Sequence, residues 1–519
     1  MTGTLEMQVG RFRVGGAAAV MVALLAAGCG APGTSSVTIH DVPPSNELPI
    51  PPLETGTTAD DDTTVFPLSV HLAESDFGRG QMADTIGING DYLGPTLRMS
   101  RGERVRAEVT NSLDEMTTLH WHGMHIPARM DGGPHQMIQP GQTWRPHWQV
   151  RQPAATLWYH SHPHGETAQQ VYRGMAGMLI IDDPDAPDVG LPSEYGVDDV
   201  PVIVQDKSFT SDGQLIVDPR AGPSTGFLGD TIVTNGSVGT YLPVETEAVR
   251  LRLLNASNAR IYNFGFDDDR TFDIVASDGG LLGAPVSAQR VQLSPAERAE
   301  IVVRMTPGES VSLNSTAPDL GTVRDSLYSP GTFTVVQLRA AQTLRPSPAL
   351  AATLTDVPDP DPAQSVQTRR FGIEGLAING RPMDMNRIDM AVPLDQTEIW
   401  EVTNQDPQPH NFHVHDVQFR ILSMDGRPPP AQFAGYKDTV YVAPRTTVRI
   451  LVRFTDYTNR RWPYMFHCHL LLHEDLGVMG QFVIVKPGES AGSAPHHDMP
   501  GMDTASPGTS APMEMSADS

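Results

Sequence analysis

Residues 104–113 read RVRAEVTNSL. Val105, Ala107 and Val109 alternate with charged or polar neighbours and run into an asparagine-containing turn, the period-two pattern of a strand with one face in a core and the other toward water. The same grammar returns in RLRLLNASN at 250–258 and EIWEVTNQD at 398–406. Further strand-like runs surround each copy, among them GMAGMLIIDDP, AEIVVRMTPG and MGQFVIVKPG, with turn signals such as DGGP at 131–134 and QPGQ at 139–142. Three units with shared spelling predict an all-β chain of three consecutive two-sheet sandwiches, over 64–183, 198–340 and 369–488. The 47 glycines and 45 prolines among 519 residues, with only 19% charged residues, fit short strands joined by turns.

The ends read differently. Residues 1–29 carry RFR at 11–13, a short apolar run at 15–27 and small residues, the layout of an export signal and too short for a stable membrane span. LAAGC at 25–29 resembles a bacterial lipobox, which implies cleavage before Cys29, lipid on its thiol and attachment to the extracytoplasmic face of the membrane; the alternative is a plain signal peptide and a secreted or periplasmic protein. Residues 30–63, rich in Pro, Thr, Ser and Asp, are expected to be a flexible tether. Residues 489–519 form a small, polar tail with His496, His497, Met499, Met502, Met513 and Met515, able to collect soft metal ions or to stay without a ligand. A formal charge of -25 repels phosphate backbones, so nucleic acid is excluded as a partner.

Chemistry concentrates in four stretches: HWH at 120–122, HSH at 160–162, HNFHVH at 410–415 and HCHLLLH at 467–473. On a strand, residues two apart share a face, so His120 with His122, His160 with His162, His413 with His415, and His467 with His469 make four pairs. Cys468, between the last two, points to the opposite face, which His410 and His473 can also reach. Eight imidazoles thus converge on one locus, while a thiolate and two imidazoles form a second beside it. A thiolate with two imidazoles suits copper in an electron-transfer site, and eight imidazoles exceed the demand of one tetrahedral zinc but could hold about three ions. The backbone of His467, Cys468 and His469 wires one locus to the other. A single acceptor joined to several inner metals is what the four-electron reduction of dioxygen needs. The middle unit has no histidine, so function is expected in the first and third units alone.

HWHG at 120–123, WYHSHPHG at 158–165, HNFHVH and HCHLLLHEDLGVM at 467–479 resemble, in order, the four copper motifs of the multicopper oxidases, closest to the bacterial three-domain laccase and cuprous-oxidase branch, over 64–488. The resemblance implies three cupredoxin-like Greek-key sandwiches and four copper ions. It assigns His410, Cys468 and His473 to type 1 copper, His120 and His413 to type 2, and His122, His160, His162, His415, His467 and His469 to the type 3 pair. Relatives often carry an axial methionine ten residues after the cysteine, where this chain has Val478; the axial position is either vacant or filled by the next residue, Met479. Asp131 and Glu474 fall where the family has carboxylates near the cluster, suited to relay protons or hold ligand rings. His125, His135, His147 and His164 lie outside this set, and Trp121 and Trp158 are expected to pack around the ligands.

The function implied is oxidation of a phenol, an aromatic amine or cuprous ion, one electron at a time, by a monomer that passes the electrons to dioxygen. A non-enzymatic copper store or carrier is the contrasting class; the wired His467-Cys468-His469 arrangement would be superfluous for storage.

Overall fold

The computed structural model describes residues 40–217, 226–321 and 331–495. Six sheets pair into three β-sandwiches of the cupredoxin type. The three repeated stretches become the strands Arg104–Asn111, Ala248–Asn255 and Thr397–Asn404. Each pairs in parallel with the strand that opens its sandwich: Thr63–Ser75, Asp199–Lys207 and Ser365–Glu374. Their terminal asparagines do one job three times. The Oδ1 atoms of Asn111, Asn255 and Asn404 accept from the N–H two residues on, at 2.9, 3.0 and 2.8 Å. Each side-chain amide donates to two carbonyls, those of Glu115 and Ile138, Arg260 and Leu293, and Gln408 and Val442. This Asx turn fixes the strand end and ties a distant segment to it.

The apolar alternates fill three cores. Val105, Ala107 and Val109 pack with Phe66 and Leu68; Val249, Leu251 and Leu253 with Phe264; Trp400 and Val402 with Phe412 and Phe466. In the middle sandwich the polar alternates are buried as well. Arg252 forks onto Asp199 at 2.6 and 2.8 Å and donates to the Thr156 hydroxyl of the first sandwich at 2.7 Å, because this sheet faces a neighbouring sandwich rather than water. Buried charges persist only when paired and hydrogen-bonded, and here they are.

The tether expectation is corrected from residue 40 onward. Asn46–Glu47 adds in parallel to Thr240–Thr246, Leu53–Glu54 to Thr96–Ser100, and Thr57–Thr58 pairs with Thr63–Ser75. Leu48 is buried in the middle core, and the Asn46 amide donates to Val238 O at 2.8 Å. Proline favours an extended backbone and tolerates edge positions, so a proline-rich segment can lie along sheet edges as well as span solvent. The export signal, Cys29 and the His and Met residues of the tail lie outside the described residues. Among the described residues, no helix is long and apolar enough to cross a membrane.

Candidate metal centre

Sheet register delivers the histidines. In the first sandwich His120–His122 pairs antiparallel with Ala155–His160, setting His120 opposite His160 and His122 opposite Trp158. In the third, His410–Val414 pairs with Tyr464–His467, setting His413 opposite His467. The chain turns after His160 and after His467, yet His162 and His469 still reach the same locus. All eight rings are buried, at 1% exposure or less. His120 stacks on His415 with ring centroids 3.9 Å apart, and His122 on His413 at 3.7 Å. First-sandwich rings therefore interleave with third-sandwich rings.

Ring nitrogens in this locus meet one another or are left without a partner. His415 Nδ1 lies 2.8 Å from Asp131 Oδ2, and its Nε2 faces His467 Nε2 at 3.2 Å. His162 Nε2 lies 3.3 Å from His467 Nε2, and His160 Nε2 3.4 Å from His469 Nε2. Two imidazole lone pairs at such distances repel unless a cation sits between them. Burial holds His120, His122, His162, His413, His415 and His469 well below the usual imidazole range, and takes His160 down to about 4, so the rings are neutral and able to coordinate. His120 Nε2, His122 Nδ1 and His413 Nε2 are buried without a hydrogen-bond partner. The donor set fits metal ions.

Second-layer contacts fix the rings. His120 Nδ1 donates to the Asp131 carbonyl at 2.8 Å and His413 Nδ1 to the Asp438 carbonyl at 2.9 Å. Asp131 thus holds one ring through its backbone and His415 through its side chain. Burial pushes its carboxyl well above the usual range. Gly132, at φ +78°, makes the turn; a Cβ there would meet the Leu119 carbonyl. Glu474 lies on the short helix Leu471–Asp475, its two oxygens each 3.2 Å from an Nδ1, of His162 and of His467. Asp475, next to it, accepts from the N–H groups of Thr167 and Ala168 at 3.0 and 2.9 Å and so docks this helix onto the first sandwich.

On the other face of the Tyr464–His467 strand end lies the second locus. Cys468 Sγ is 3.4 Å from His410 Nδ1 and 3.6 Å from His473 Nδ1. Burial disfavours a charged thiol, but His410 and His473 beside it outweigh that and draw Cys468 down to about 5. Burial likewise opposes a charged His410, yet the sulfur and Asp406, 3.0 Å from its Nε2, lift it to about 9. The pairing that sets His467 opposite Met479 also brings the Cys468 N–H to the Val478 carbonyl at 3.0 Å. Val478 shares the third core with Cys468, whereas Met479 takes the parity of His467.

Of the remaining histidines, His125 bridges Asp416 and Asp456 of the third sandwich at 2.9 and 3.0 Å, and His135 Nε2 meets Gln481 Oε1 at 2.7 Å, so both clamp sandwich one to sandwich three. His147 and His164 are exposed. Trp158 stacks on His160 at 4.2 Å, while Trp121 packs with Trp148 and Tyr159.

Two residues were missed by sequence reasoning. Asp438 Oδ1 accepts from His122 Nε2 at 3.0 Å, and the Arg298 guanidinium grips the same carboxylate at 2.8 and 2.6 Å. Arg298 comes from the histidine-free middle sandwich, which corrects the expectation that only the outer two units serve the site. One signal was available: Gly123, in HWHG, sits at φ +85°, and a Cβ there would lie 2.6 Å from Asp438 Oδ2.

Two multicopper oxidase family models match residues 70–186 and 352–488. The multicopper oxidase mco of Staphylococcus haemolyticus is 36% identical over 426 residues, covering 81% of this chain and 88% of that protein. This chain belongs to the multicopper oxidase family. It is a copper-dependent oxidoreductase whose machinery couples substrate oxidation to dioxygen reduction. The cell division protein FtsP of Escherichia coli is also 36% identical, over 84% of this chain and 92% of its own. Among solved structures, a laccase from Pediococcus acidilactici has a TM-score of 0.78 and 33% identity over 88% of this chain and 96% of that one. A laccase-like multicopper oxidase, CueO, from Ochrobactrum sp., with oxidase activity towards lignin model compounds and lignosulfonate, has a TM-score of 0.77 and 37% identity over 84% of this chain and 100% of that one.

Proposed function

We propose that this protein is a laccase-like oxidase with four copper ions: one held by His410, Cys468 and His473, one by His120 and His413, and a pair by His122, His160, His162, His415, His467 and His469. The single observation that carries this is the parity of three successive residues, Cys468 turned to one locus and His467 and His469 to the other. Copper bound there would supply one-electron oxidation at the sulfur locus and dioxygen reduction at the imidazole locus. The chain's own residues hold the ligand rings in register, exclude water by burial, and place the Asp131 and Glu474 carboxyl groups where protons consumed by dioxygen reduction can be handed on. Asp131 and Glu474 touch ligand rings and so serve both positioning and proton delivery. Val478, on the core side with Cys468, would offer copper held there no thioether, which would favour a higher potential. Met479, opposite His467 in the sheet, would face away from copper held by Cys468.

An aromatic donor fits the outer side of this locus. Leu376 and Leu476 are 46% and 38% exposed, on segments joined by the Met383 N–H to Gly477 carbonyl bond at 3.0 Å, and Leu476 ends the helix that carries His473. An apolar surface beside a ligand imidazole suits a phenol or aromatic amine, in keeping with the lignin-model activity of the CueO relative. The complete donor set favours an oxidase over a copper store. The enzyme acts as a monomer, exported and held at the membrane through lipid on Cys29. Oxygen uptake with a phenol, an aromatic amine and cuprous ion, compared side by side on the copper-loaded protein, tests this: phenol turnover is expected, and uptake with cuprous ion alone would make the protein a metal oxidase instead.

A further inference from the structure

Arg298 has no exposed surface, and every N–H of its guanidinium is used. Nε donates to Thr156 O of the first sandwich at 3.0 Å; Nη1 to Ala296 O at 3.0 Å and Asp438 Oδ1 at 2.8 Å; Nη2 to Asp278 O at 3.0 Å and Asp438 Oδ2 at 2.6 Å. This one side chain joins all three sandwiches. Burying such a pair costs several kcal/mol in desolvation, and apolar replacements are often no less stable, so stability alone is a poor account of it.

Its direction gives a better one. Asp438 Oδ1 also accepts from the Thr439 hydroxyl at 2.9 Å. With both oxygens already accepting, the carboxylate can only accept from His122 Nε2. That places the His122 proton on Nε2 and its lone pair on Nδ1, the atom left without a partner. His122 is thereby turned the opposite way from its neighbours. His120, His160, His413, His415 and His467 engage Nδ1 with a carbonyl or carboxylate and present Nε2. Gly123 makes room for the device, since a Cβ there would also lie 3.0 Å from Arg298 Nη2.

We propose that Arg298 is a positioning residue for the dioxygen-reducing centre: its fork on Asp438 orients that carboxylate so that His122 is held with Nε2 protonated and Nδ1 facing the cluster. The middle sandwich thus sets the tautomer of one ligand ring although it contributes no ligand. This rests on the assignment of His122 as a ligand, and the test separates the two.

The first measurement needs no metal. Nitrogen NMR of the copper-free full chain, with the His122 signals assigned by their loss in His122→Gln, is expected to show Nε2 protonated and Nδ1 bare; a protonated Nδ1 would overturn the proposal whether or not copper ever binds. The second uses the copper-loaded protein. Arg298→Met and the double variant Arg298→Met/Asp438→Leu, which removes both charges and avoids a lone buried ion, are expected to keep the blue absorption of the Cys468 locus. They should lose the near-ultraviolet band of the copper pair and bind copper there about 10- to 100-fold more weakly, the usual cost of removing an outer hydrogen-bond partner. A folded double variant that keeps that band, with affinity within about twofold of wild type, would show that Arg298 only glues the sandwiches together. Absence of the blue and near-ultraviolet bands from wild type itself would instead strike the oxidase reading and leave the tautomer result standing.

Discussion

Replacing Glu474 by glutamine alters the site by one atom and has a computable consequence. Each Glu474 oxygen lies 3.2 Å from an imidazole Nδ1, one on His162 and one on His467. Both rings need Nδ1 protonated if their Nε2 atoms, 3.3 Å apart, are to coordinate. Glutamine can accept from one ring only and turns an N–H₂ toward the other, donor against donor. The loss is one 3.2 Å contact between a ring and a carboxylate oxygen, for which the value of a hydrogen bond to a charged acceptor, about 1.5–3 kcal/mol, is the upper bound. At 1.36 kcal/mol per tenfold this weakens copper binding by the pair at most about 10- to 150-fold. The Cys468 locus is untouched, so the blue absorption should persist. Copper competition against a chelator, read at the near-ultraviolet band, gives the affinity; stopped-flow reoxidation of the reduced protein gives the dioxygen half-reaction, which should slow. An affinity and a reoxidation rate both unchanged would refute the bridging role of Glu474.

Other consequences follow from the same geometry. Burial disfavours a charged His125, but Asp416 and Asp456 outweigh it and lift the ring to about 9; its folded value exceeds the unfolded one, so its contribution to stability is complete below about pH 6.5 and lost as pH rises through about 9. Thermal melts of wild type and His125→Gln should therefore differ most near pH 6 and converge above pH 9, and a gap independent of pH would assign the effect to packing alone. Val478→Met should lower the potential of the blue centre, read by potentiometric titration, while Met479→Leu leaves it unchanged; the reverse result would make Met479 the axial ligand. Adding the longer side chain at a fully buried position should also cost about 1–3 kcal/mol of stability by overpacking.

The eight imidazoles and the thiolate were legible because alternation is a local rule: HWH lies on a strand that turns His120 and His122 to one face, and although the strands end at His160 and His467, the turns that follow still bring His162 and His469 to the same locus. The three sandwiches were legible for the same reason, and Asn111, Asn255 and Asn404 mark equivalent turns in each. Partners brought in by tertiary packing were not legible. Asp438 is the bend between the strands Tyr436–Lys437 and Thr439–Val442, and Arg298 lies 140 residues away with no local sign that its guanidinium reaches the cluster. Composition misled at Asn46–Glu47, where a proline-rich segment completes a sheet edge rather than spanning solvent. His164, two residues past His162, shows the limit of proximity in sequence: the chain has turned, and the ring faces solvent.

The account stands or falls on Cys468 as the bridge between the two loci. Cys468→Ser, loaded with copper and mixed anaerobically with excess phenol before oxygen is admitted, measures this most directly. The expected result is no blue absorption and no phenol oxidation, with copper still bound by the eight imidazoles and, once reduced by dithionite, still reoxidised by dioxygen. Phenol turnover at the wild-type rate in a protein lacking the blue band would contradict the account.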